Sequence, residues 1–154
     1  WLLGSLGGRS WPHLTASAPY LVVGPLVFWF LSRPLDALAS GETTARTLGL
    51  PLARTRGAVV ALASLITAAA VAAGGIIGFV GLIAPHIARL LFGATHRRVI
   101  PASTMLGGLL LLLADDVART AVAPVELPVG IITSLLGGPF FLYILKTRRH
   151  NLGE

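Results

Sequence analysis

The run GAVVALASLITAAAVAAGGIIGFVGLIAPHIARLLF, from Gly57 to Phe92, decides the fold. From Gly57 to Ala88 it holds no Asp, Glu, Lys or Arg. A helix needs about 20 apolar residues, rising about 1.5 Å each, to cross the hydrocarbon core of a bilayer. The run is too long for one crossing, and it carries its own breakers. Gly74, Gly75, Gly78 and Gly81 cluster, and Pro85 follows. Proline removes a backbone donor and clashes with the preceding turn. The pattern predicts a full span over 57–78 and a short returning helix over 82–92. Short or broken helices persist at membrane depth only where protein or a water-filled cavity covers the backbone, so 82–92 is expected to lie buried in a bundle. Gly74 and Gly78 are spaced as GxxxG. With Ala68, Ala69, Ala70, Ala72 and Ala73 they predict close helix packing.

Outward from this run, three more stretches lack all four charged residue types: Ser10–Ser32, Val99–Ala114 and Leu127–Leu145. They predict spans over 12–31, 99–118 (with Asp115 to Arg119 at its mouth) and 127–145. Composition agrees. Of 154 residues, 55% are hydrophobic and 12% charged, about half the charge of a soluble domain. Such a chain cannot cover a globular surface with polar groups. That argues against a cytosolic enzyme, and against a nucleic-acid module despite a net charge of +6. The absence of cysteine excludes a disulfide framework, a thiolate metal site and a Cys nucleophile. No HExxH pair, GK[ST] phosphate loop or GxSxG elbow is present, so no catalytic residue and no metal site is expected. Asp115 and Asp116, adjacent on a helix, point about 100° apart and cannot form an aspartyl dyad.

Charge asymmetry sets the orientation. Five crossings put Arg33, Arg46, Arg54, Arg56, Arg89, Arg97, Arg98, Lys146, Arg148 and Arg149 on one side, and Arg9 and Arg119 on the other, ten against two. Four crossings divide the same residues five against seven, which is no bias. Five crossings place Trp1 outside and Glu154 in the cytoplasm. An odd number starting outside implies earlier spans. No charged leader with a cleavage site precedes the first apolar run, so no signal peptide is expected.

The longest polar segment, 33–56, is expected on the cytoplasmic side. Ser32 is placed to cap a short helix with Pro34 near its start, Asp36 in its first turn and Gly41 at its end. Glu42 to Leu48 follows as a second short helix closed by Gly49 and Pro51. Two short helices along the membrane form either a docking surface or a plain amphipathic connection. At the other face, Asp115 or Asp116 can pair with Arg119 at i, i+4 or i, i+3. Glu126 and Pro128 open the last span, with Glu126 near a positive helix end. This is either an interfacial ion cluster or an outward docking patch. His86, an ionisable group at membrane depth, is a functional candidate or a histidine satisfied by a local partner.

Several strings carry a resemblance: WLLGSLGG (1–8), Gly41-Glu42, Ala45-Arg46, Leu48-Gly49, GFVGLIAPHIAR (78–89), His96-Arg97, Ala114-Asp115, Ala118-Arg119, ELPVG (126–130) and GGPFF (137–141). The chain resembles the C-terminal half of the FecCD family, permease subunits of bacterial ABC importers for iron-siderophores, haem and vitamin B12. The resemblance covers essentially the whole chain. It implies an all-α, polytopic transmembrane bundle supplying the last five of ten spans of a cell inner-membrane protein, with a cytoplasmic C-terminus. It implies a dimer with a second permease subunit, identical or paralogous, and a translocation path along the dimer axis. The segment with Gly41, Glu42, Ala45, Arg46, Leu48 and Gly49 would dock on an ATPase subunit, which alone binds ATP and Mg²⁺. Arg119 would meet acidic residues of a periplasmic or lipoprotein substrate-binding protein. Gly78, Gly81, Pro85, His86, Arg89, Asp115, Glu126 and Pro128 would serve translocation or hold the bundle. Asp116 departs from the family's usual pattern. The other readings are a segment of an ion-coupled secondary transporter, with His86, Asp115 and Arg119 in an ion path, and a truncated membrane fragment without transport.

Overall fold

The computed structural model describes residues 4–8, 10–121 and 127–150, the side chains of 147–150 excepted. The described residues form seven helices and no strand: α1 (Trp11–Phe30), α2 (Ser32–Ala39), α3 (Glu42–Thr47), α4 (Leu52–Gly74), α5 (Val80–Phe92), α6 (His96–Thr120) and α7 (Val129–His150). Helices α1, α4, α6 and α7 are long and apolar enough to cross a membrane, and α5 is a shorter apolar helix of about 20 Å.

The run that decides the fold breaks sooner than the glycine cluster predicted. Helix α4 stops at Gly74 because Gly75 takes φ +76, open to glycine but costly for other residues. Residues 75–79 are not helical, and Phe79 turns the chain into α5 with a left-handed φ of +66. The expected GxxxG face therefore does not form, because Gly74 ends one helix and Gly78 lies beyond it. A Cβ on Gly74 would meet Leu6, whereas one on Gly78 would meet nothing.

Helices α4 and α6 both start beside the α2–α3 segment. The chain between them, 75–95, must return from the far end of α4. Helix α5 makes most of that return, packed on α6 and α7. One face is covered: Ile83, Ala84 and Ala88 are buried. The other is not, with Leu82 and Leu90 55% and 73% exposed. Within this chain the short helix is thus buried on one face only. No described residue covers the second face.

At the end away from α2 and α3, the segment before α1 ties the helix ends together. Ser5 N–H donates to the Gly74 carbonyl (2.9 Å), and Gly130 N–H to the Gly4 carbonyl (3.2 Å). Here Ala114, Ala118 and Val129 form a small core, joined by Leu6, Leu111, Leu127 and Ile132. The side chains buried between helices are short, Ala45, Ala84, Ala88, Ala114 and Ala118 among them. Large apolar side chains such as Trp11, Phe30, Met105, Leu112 and Leu135 point outward. In water this would be an inverted protein, but in lipid close backbone approach replaces hydrophobic burial as the basis of packing.

Candidate functional site

The polar segment 33–56 folds into a platform at one end of the bundle. Leu31 ends α1 and begins α2, so Ser32 lies inside α2, buried, with no side-chain cap bond. This corrects its expected capping role, since a joint of one residue leaves no extended position from which Ser32 could cap. Gly41 (φ +107) opens α3. Gly49 (φ +74) closes it as a Schellman turn, with Leu50 N–H on the Ala45 carbonyl (3.2 Å) and Gly49 N–H on the Arg46 carbonyl (2.9 Å). Ala45 is fully buried, while Leu48 is 66% exposed. The platform therefore presents a large apolar side chain outward from a turn whose backbone is fixed.

Two polar clasps join the platform to the long helices, and neither partner was legible in the sequence. Glu42 pairs with Arg46 one turn on (3.9 Å) and more closely with Arg56 in the first turns of α4 (2.6 Å). These side chains are at least half exposed, so each pair contributes only about 0.2–1 kcal/mol. Asp36 reaches α6 instead of serving its own helix. One carboxylate oxygen accepts the His96 backbone N–H (2.9 Å) and lies 2.6 Å from His96 Nδ1. It thereby caps the α6 N-terminus, where Thr95 provides no side-chain bond. Burial pushes the Asp36 carboxyl up. The bonds from the His96 backbone and ring, and the charge of the ring, outweigh that and hold it below its ordinary value of 3.8. The signal was present, because His96-Arg97 was among the resembling strings, but spacing alone does not join residues 36 and 96.

Arg119 lies at the opposite end of α6, about 35 Å from His96 by helical rise. Its Nε–H donates to the Asp115 carboxylate at 2.8 Å, the i, i+4 pair. Asp116 is not its partner there. Glu126 lies outside the described residues. Pro128 precedes α7 and accepts the Ile131 N–H (3.0 Å).

Gly81, Pro85, His86 and Arg89 line one groove of about 330 Å³ between α5 and α7, with Gly137, Phe140 and Phe141 opposite. The His86 ring stands edge-on to Phe140, ring centres 5.6 Å apart. Gly78 is not part of this lining. Gly137 is needed here, because a Cβ at that position would collide with the Cβ and ring of Phe79. Among the described residues, no group of three or more His, Asp or Glu residues is placed to hold a metal ion. The candidate residues other than Gly78 and Glu126 thus fall into three places, the platform, the α5–α7 groove and the far end of α6.

The chain is 49% identical over 96% of its length to the cobalamin import system permease protein BtuC of Halobacterium salinarum, covering 40% of that protein. It is 41% identical over 97% of its length to the Fe(3+) dicitrate transport system permease protein FecD of Escherichia coli, covering 47%. A solved chain of an inward-facing "metal-chelate type ABC transporter" superposes with a TM-score of 0.89 at 35% identity, over 96% of this chain and 47% of that one. The chain spans less than half the length of these proteins. With residues 1–147 matched by the model of the FecCD transport family and the same fold in a solved transporter, the chain belongs to the FecCD transport family.

Proposed function

We propose that the chain is the C-terminal half of the permease subunit of an ATP-driven importer. Its cargo is an iron-siderophore, haem or cobalamin, taken across the inner membrane of a bacterial cell with the platform and Glu154 in the cytoplasm. ATP and Mg²⁺ belong to a partner ATPase, and this chain contributes no catalytic residue. A second permease subunit completes the path, and a substrate-binding protein delivers cargo at the far end of α6.

One observation carries this reading. The platform holds an exposed Leu48 on a fixed turn and is clasped to the first turns of two membrane-length helices, at Glu42–Arg56 and Asp36–His96. A force on α3 therefore reaches α4 through Glu42–Arg56, and α6 through the adjoining α2 and Asp36–His96. ATP binds one ATPase arrangement better than another, and that difference in affinity is what shifts the permease between inward- and outward-open states. Leu48→Asp in the full-length subunit tests the coupling. ATPase activity is expected to persist while cargo uptake falls by an order of magnitude or more. Normal uptake with normal ATPase docking removes the platform from the coupling path.

Arg119, 44% exposed and oriented by Asp115, is the proposed contact for acidic groups of the binding protein. Arg119→Glu is expected to weaken that docking most at low salt, where the Debye length exceeds about 10 Å. Unchanged affinity at low ionic strength takes Arg119 out of the interface.

A further inference from the structure

Where α1 leaves the apolar layer, its last turn meets the first turn of α6. Trp29 donates its indole N–H to the Arg97 carbonyl at 3.1 Å, and the Arg97 guanidinium lies 5.8 Å from the Trp29 ring centre. Trp29, Phe30, Ser32, Arg33 and Arg97 line a cup of about 270 Å³. Among the described residues no carboxylate pairs with Arg33 or Arg97, because Asp36 is taken by His96, and Glu42 by Arg46 and Arg56. Among the described residues, two guanidinium groups therefore stand at the end of the apolar α1 without an anion.

A second depression, of about 510 Å³, shares Trp29 with the cup and follows the α1–α6 seam. Its walls include Leu21, Pro25, Leu26, Ile100, Pro101 and Met105. From Leu21 to Trp29 it follows α1 for about 12 Å, most of the roughly 15 Å depth of one leaflet. Met105, in its wall, is 77% exposed. An apolar channel ending in a cationic cup has the shape and polarity of a phospholipid.

We propose that Arg33 and Arg97, with the α1–α6 groove beneath them, hold one anionic phospholipid, its phosphate in the cup and one acyl chain along the groove. Arginine forks match phosphate oxygens, and an indole whose N–H is bonded at the interface is placed as interfacial tryptophans are. A free anion would leave the groove empty, and a zwitterionic lipid would bring its own ammonium, which competes with the two arginines for the phosphate and is repelled by them. The inference requires only that α1 and α6 span a bilayer. It stands whether or not the platform couples to an ATPase.

Native mass spectrometry of the full-length permease, titrated with phosphatidylglycerol or phosphatidylcholine of identical chains, tests it. The unmodified protein is expected to retain phosphatidylglycerol preferentially. Arg33→Gln, which breaks no ion pair among the described residues, is expected to lower that preference about fivefold, and Arg33→Gln with Arg97→Gln about 25-fold, at about 1 kcal/mol per arginine. Met105→Trp, which fills the groove, is expected to lower phosphatidylglycerol retention with both arginines in place. Equal retention of the two lipids by the unmodified protein overturns the proposal, as does an unchanged preference in the double variant. So does displacement by millimolar inorganic phosphate, which would make the cup a free-anion site. A photo-crosslinker at position 105 that captures another segment of the permease and no lipid also overturns it.

Discussion

Asp36 shows how one side chain carries a tertiary joint. Its carboxylate ends the α6 backbone ladder and fixes the His96 ring, so α2 cannot tilt without disturbing α6. Because its pKa is depressed in the folded chain, the folded state takes up that proton less readily than the unfolded state. The stabilisation is therefore complete above the unfolded value near 3.8 and is lost as pH falls through the lower folded value. Asp36→Ala in the full-length subunit is expected to lower Tm at pH 7. The gap to the unmodified protein should begin to close only below pH 3.8, and closes as pH falls through the lower folded value and the native carboxyl takes up its proton. A gap independent of pH would mean that packing, not charge, holds the joint.

At the scale of elements, the link from α4 to α5 rests on Phe79, left-handed and seated on Gly137 of α7. An added methyl at 137 meets the Cβ and inner ring atoms of Phe79, which cannot swing away without moving the backbone. At Gly24 the corresponding methyl meets Cδ1 and Cγ1 of Ile66, side-chain atoms beyond Cβ that can rotate without moving the backbone. Gly137→Ala is thus expected to destabilise by about 1–3 kcal/mol and Gly24→Ala by less, read from thermal unfolding in detergent. Equal losses would show that Phe79 is free to move.

The same region shows what sequence reading reaches. The absence of charge and the glycine cluster gave a long span and a short return, and α4 and α5 are there. Helix α4 ends at Gly74, four residues before the 78 that the glycine cluster predicts, because a glycine run does not say which member takes positive φ. The two short platform helices were legible from Gly41, Gly49 and Pro51, whose backbone roles are local. The clasps Asp36–His96 and Glu42–Arg56 were not, because pairing across 60 and 14 residues depends on the completed bundle. Asp115–Arg119, a pair within one helix, was open to spacing alone.

Over the whole molecule, membrane topology can be read chemically because the chain contains no cysteine. In a cysteine-free full-length subunit, a cysteine at Thr47 should resist an impermeant maleimide applied to intact cells, while one at Thr120 should react. The reverse pattern would invert the molecule and place the platform outside. Both positions are exposed on the chain, and reaction of the Thr47 cysteine once the cells are permeabilised and the ATPase is absent separates the membrane from cover by a partner.

The alanines between the helices have a mechanical corollary. Ala84, Ala88, Ala114 and Ala118 floor much of the packing of α5, α6 and α7 with methyl groups, beside the larger Ile83, Leu111 and Val129. Such a surface has shallow corrugation. Helices meeting across it can glide by an ångström or two without unseating a deep knob, which is the kind of small shear that domain motions use. The α5–α6 joint is thus built as a plain bearing, while the Phe79 seat on Gly137 pins α7.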